Sequence, residues 1–77
     1  MTSGLIDEIN RLVGLQLGKR NVQETDRLLE DLGAESADVA NLVGAVESKY
    51  GIIVSESEIA RISTPLDIYE LVLRKAH

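Results

Sequence analysis

The chain has no cysteine, no tryptophan and no phenylalanine, and a single histidine and a single proline in 77 residues. Without cysteine there is no disulfide staple, no thiolate metal ligand and no thiol nucleophile, so any sulfur chemistry has to be imported. The one histidine, His77, is the last residue, which leaves no imidazole to pair with a nucleophile, and the carboxylates show no metal-ligand spacing. The sequence offers neither an enzyme active site nor a metal site. It also lacks an apolar run of the ~20 residues needed to cross a bilayer, and a basic N-terminal segment leading into a hydrophobic stretch. These absences predict a cytoplasmic protein that does not associate with membranes.

Positive charge is scarce too. Eight Lys and Arg stand against 13 Asp and Glu, a net charge of -5, and a chain of that sign is repelled by nucleic acid backbones and anionic membrane surfaces. Basic protein surfaces are the partners that remain. Glu24, Asp26, Glu30, Asp31, Glu35 and Asp38 face only Arg27 between positions 24 and 38, so this segment holds the whole net charge. Such a run can simply solvate a loop, but its clustering favours a docking surface.

A chain of this length makes one small domain, here residues 1–77, expected as a monomer. From Ser3 to about Leu17 apolar residues recur at Leu5, Ile6, Ile9, Leu12 and Val13, the spacing of an amphipathic helix. Gly18 to Glu35 has no sustained period and reads as a long loop anchored by Leu28, Leu29 and Leu32. Val39, Leu42, Val43, Val46 and Tyr50 form the stripe of a second helix from about Ser36 to Tyr50, with Gly51 placed for a left-handed C-terminal cap. The run "GIIV" at 51–54 is too short for a strand with no partner and predicts a connector whose apolar residues enter the core. "SESE" at 55–58 offers a capping box for a short third helix through Ile59 and Ile62. "TPLD" at 64–67 combines a threonine cap, proline at the first helical position and an acid two residues on, starting a fourth helix to about Arg74. The expectation is all-α: a four-helix bundle with a long loop between helices one and two and a short third helix.

Ser36, where the acidic loop meets the second helix, has two readings on the residues alone. It can be a cap that accepts a backbone amide of the next turn. It can equally be an exposed hydroxyl at a helix N-terminus, where the dipole stabilises a phosphate placed on it.

The stretch "EDLGAESADVANLVGAVESKYGIIVSESEIARISTPLDIYELV" resembles the acyl carrier proteins, whose signature is an acidic loop ending in Gly, a short spacer, Asp-Ser-Leu and an amphipathic helix. The likeness runs without a gap through the last helix. It implies a carrier rather than an enzyme, with Ser36 holding 4'-phosphopantetheine delivered from coenzyme A by a separate phosphopantetheinyl transferase, and acyl groups riding as thioesters on that arm. It further implies an acyl-chain cavity between the second and third helices, lined by Val39, Leu42, Val43, Val46, Ile59 and Ile62. Glu30, Asp31, Glu35, Ala37, Asp38, Asn41 and Glu47 fall on the docking side that would meet acyl-transfer, synthase or ligase enzymes through their basic patches. Three positions depart from the pattern: Glu35 replaces the usual aspartate, Ala37 the usual leucine or methionine, and Asn41 a common acid. Beyond them the recognition helix keeps only Glu47 as an acid, beside Ser48 and Lys49. These departures predict a carrier dedicated to a specialised fatty acid, lipid or polyketide pathway. The alternatives are a housekeeping carrier of fatty acid synthesis, or a helical interaction module in which Ser36 is only a cap.

Overall fold

Both four-residue start signals act as the sequence predicts. The Thr64 hydroxyl accepts the Asp67 N–H at 3.3 Å while the Asp67 carboxylate accepts the Thr64 N–H at 3.0 Å. Ser55 and Glu58 repeat the exchange at 3.2 and 2.9 Å. Each pair satisfies donors that a first helical turn leaves free.

The computed structural model describes residues 4–76, which form α1 (Gly4–Leu17), α2 (Ser36–Tyr50), α3 (Glu56–Ile59) and α4 (Pro65–Lys75), with no strand among them. The fold is all-α. Ser3 and His77 lie outside the described residues. Helix α3 is shorter than expected: Arg61 and Ile62 bond back only three residues, to the Glu58 and Ile59 carbonyls, so the ladder tightens into turns and Ile62 lies beyond the helix.

The core joins Ile9 and Val13 of α1 to Leu42, Val43 and Val46 of α2 and to Ile68, Leu71 and Val72 of α4. Burying each such side chain contributes ~1.5–3 kcal/mol against the entropy of ordering the chain. In the long loop Val22, Leu28, Leu32 and Ala34 are buried, and two backbone bonds fasten the loop to the α3–α4 connection and the start of α4: Leu28 N–H to Ser63 O at 2.8 Å and Leu66 N–H to Glu24 O at 3.0 Å. Leu29, expected as an anchor beside Leu28, is instead 52% exposed.

The 51–54 connector also departs from expectation in one residue. Ile52 and Val54 enter the core, but Ile53 between them points out at 82% exposure. Gly51 takes φ +66° and donates to Glu47 O at 2.8 Å, closing α2 in the left-handed conformation that glycine adopts without a Cβ penalty. Long-range polar ties complete the packing: Tyr50 Oη donates to Glu8 at 2.6 Å, and Lys75 Nζ reaches Glu58 at 3.0 Å and Ile53 O at 2.8 Å.

Candidate functional site

Ser36 is the first residue of α2, one place past the N-cap, and the N-cap is Glu35. This corrects the idea that Ser36 is a cap. The start of the helix is fixed instead by Asp38, whose carboxylate accepts the Glu35 N–H at 2.9 Å. Ser36 is exposed, and its hydroxyl makes no hydrogen bond among the described residues. A free hydroxyl on the first turn of a 15-residue helix sits where unpaired amides and the dipole favour negative charge.

Beside Ser36 is an open cleft of about 290 Å³ between α2 and the α3 region. Val39, Ile59 and Ile62 of the expected acyl-cavity set line it, together with Leu29, Glu56 and Ala60. Leu42, Val43 and Val46 do not reach this cleft and are packed at 0–2% exposure in the closed core. The sequence does not mark Leu29 for this cleft, because a loop without a period gives no sign of which of two adjacent leucines turns outward.

A family model described as "Phosphopantetheine attachment site" matches residues 4–72. The acyl carrier protein of Wolinella succinogenes is 36% identical over 88% of this chain and 92% of its own, and that of Thermotoga maritima 32% identical over 92% and 90%. The chain belongs to the acyl carrier protein family. A crystal structure of the Thermotoga maritima acyl carrier protein superposes with a TM-score of 0.76 at 29% identity, covering 92% of this carrier and 85% of that chain. Membership makes covalent 4'-phosphopantetheine the cofactor and transport, not catalysis, the task; synthases and transferases are the general class of partner. The reading as an unmodified interaction module falls away.

The residues expected on the docking side differ in how freely they face outward. Glu35, Ala37, Asp38 and Asn41 are exposed around the start of α2. Glu30 and Asp31 are exposed but share Arg27, at 2.8 and 3.5 Å. The Asp31 carboxyl is held below the usual carboxylate range, first by the Arg27 backbone N–H that it accepts at 2.9 Å and then by the Arg27 guanidinium. Glu47 is turned to the connector, where its carboxylate accepts the Val54 N–H at 2.8 Å. No signal in the sequence marks that bond, which joins residues seven apart across the end of α2.

Proposed function

We propose that Ser36 carries the 4'-phosphopantetheine arm and that this acyl carrier protein serves a specialised fatty acid, lipid or polyketide pathway. The observation that carries the assignment is the exposed Ser36 hydroxyl at the first position of α2, without a hydrogen-bond partner among the described residues and opening on an apolar cleft. The residues fit the group. The first turn of α2 suits its phosphate, and Leu29, Val39, Ile59 and Ile62 offer apolar surface beside the attachment point. When bound, the arm supplies the thiol that the sequence lacks, on which acyl groups are held as thioesters.

The specialised pathway is supported by the exposed face of α2. Ala37, Ala40, Asn41, Gly44 and Ser48 face outward with Asp38 and Lys49, so this face offers partners little bulk and one carboxylate. Enzymes that grip a large apolar residue and an acid at positions 37 and 41 find neither. Basic patches of the transferase and of acyl-transfer, synthase or ligase enzymes would meet Glu30, Asp31, Glu35 and Asp38. The deciding experiment compares malonyl transfer and chain elongation on this carrier and on a housekeeping carrier, both fully loaded. Slow turnover on this chain supports the specialised role, and equal turnover replaces it with the housekeeping one.

A further inference from the structure

Not all of the surface is acidic. A cleft of about 420 Å³ lies between the second half of α1 and the turn that follows, and Arg11, Lys19 and Arg20 all line it with no carboxylate among the lining residues. None of the three forms an ion pair among the described residues, whereas Arg27 is taken up by Glu30 and Asp31, and Lys75 by Glu58. Asp7 and Glu8 stand one turn before Arg11, but neither lines the cleft, and Glu8 accepts the Tyr50 hydroxyl. The cleft is built by a close approach: Gly14 O accepts the Lys19 N–H at 2.9 Å, and a Cβ at Gly14 would stand 2.7 Å from Lys19 O.

Between the cations the lining is apolar. Leu15 is 75% exposed there and Val22 closes the floor, with the amide side chains of Asn10 and Asn21 beside them. Lys19 also lines a second depression that includes Gly33, Ala34 and Asp38, so the basic and acidic surfaces meet at this residue.

We propose that this cleft docks an acidic peptide segment of a partner protein. Its carboxylates meet Arg11, Lys19 and Arg20, and an apolar side chain covers Leu15 and Val22. A bare anion would leave the apolar floor uncovered. Nucleic acid and anionic membranes are repelled by the chain as a whole, at net charge -5. With a negative surface on one side of Lys19 and a positive cleft on the other, a partner of opposite pattern can dock in one orientation only. The proposal goes beyond the carrier role and holds whether or not Ser36 is modified.

The test is a nuclear magnetic resonance titration of the unmodified, ¹⁵N-labelled full chain with acetyl-Glu-Leu-Asp-Leu-Glu-amide, using acetyl-Lys-Leu-Lys-Leu-Lys-amide and inorganic phosphate as controls. The expected result is saturable shifts in the Lys19, Arg20 and Asn21 amides and the Asn10 side chain with the acidic peptide alone. Affinity should fall about tenfold in the Arg11→Gln, Lys19→Gln, Arg20→Gln triple variant. The three side chains are exposed, and circular dichroism checks that helicity is kept; the single Arg20→Gln variant, in the turn outside any helix, should show a smaller loss in the same direction. Equal shifts with the basic peptide, or unchanged affinity in the variants, would overturn the proposal. Phosphate matching the peptide would reduce the cleft to an anion site, and sedimentation showing a dimer that the triple variant abolishes would assign it to a second copy; either result overturns the partner reading.

Discussion

The Asp38 carboxylate accepts the backbone N–H of Glu35 at 2.9 Å, spanning Ser36 and fixing the turn that presents it. One acid thus holds the helix start and contributes to the negative surface around the candidate attachment residue.

The two roles separate by substitution. Asp38→Ala removes the acceptor and should cost about 0.5–1.5 kcal/mol, read as a lower urea midpoint at unchanged slope. Asp38→Asn keeps an acceptor and removes only the charge. It should stay near wild-type stability yet be loaded more slowly at low salt, with the difference closing as salt screens the surface. Equal loading rates at low salt would remove Asp38 from the docking surface.

Glu58 governs part of the response to acid. Its carboxyl is lowered from an ordinary 4.5 to about 2, first by the Ser55 N–H it accepts and then by Lys75. A depressed pKa in the folded state means that the stabilisation is complete above the unfolded value and is lost as pH falls from about 4.5 through about 2. Thermal unfolding of wild type and Glu58→Gln over this range should show the two converging as pH drops. A constant gap would show that the Ser55 and Lys75 contacts do not set the titration.

Two helical glycines should respond with opposite sign. At Gly14 an added Cβ would lie 2.7 Å from the Lys19 carbonyl, a backbone atom that cannot give way cheaply, so Gly14→Ala should destabilise by about 1–3 kcal/mol despite its better helix propensity. Gly44 is exposed within α2 with open space around it, so Gly44→Ala should stabilise by about 1 kcal/mol. Urea denaturation of both variants checks the pair.

Ala37 and Asn41 bear on partner choice. Both are exposed on α2, and covering a leucine-sized group at an interface is worth at most ~1.5–3 kcal/mol before ordering costs. Ala37→Leu with Asn41→Glu should raise the rate of malonyl transfer by enzymes of general fatty acid synthesis about tenfold or more, with helicity unchanged by circular dichroism. No gain in the double variant would mean that these positions do not set partner choice.

The parts of this fold that were legible in the sequence are those that four or five adjacent residues decide. Thr64 to Asp67 and Ser55 to Glu58 carry their own donors and acceptors, and Gly51 marks a cap that needs positive φ. The stripe of α2 follows from period alone. Residues whose role depends on distant chain were not legible. Leu29 and Leu28 are alike until the α3–α4 connection buries one of them, and Ile53 is apolar yet turned outward between two residues that enter the core. Glu47 looks like a surface acid until Val54 N–H comes back to it, and Gly14 like an ordinary helical residue until the Lys19 carbonyl closes on it. Ser36 stood between: its place at a helix start was readable, but that Glu35 and Asp38 free it from capping needed the folded turn.

Ser36 alone should receive the arm. Incubating the wild-type chain and Ser36→Ala with coenzyme A, magnesium and a broad-specificity phosphopantetheinyl transferase, followed by intact mass and peptide mapping, measures it directly. The predicted result is one phosphopantetheine on wild type, mapped to Ser36, and none on Ser36→Ala. An unmodified wild-type mass under conditions that fully convert a control carrier, or an arm on the Ser36→Ala chain, would rule Ser36 out as the sole attachment site.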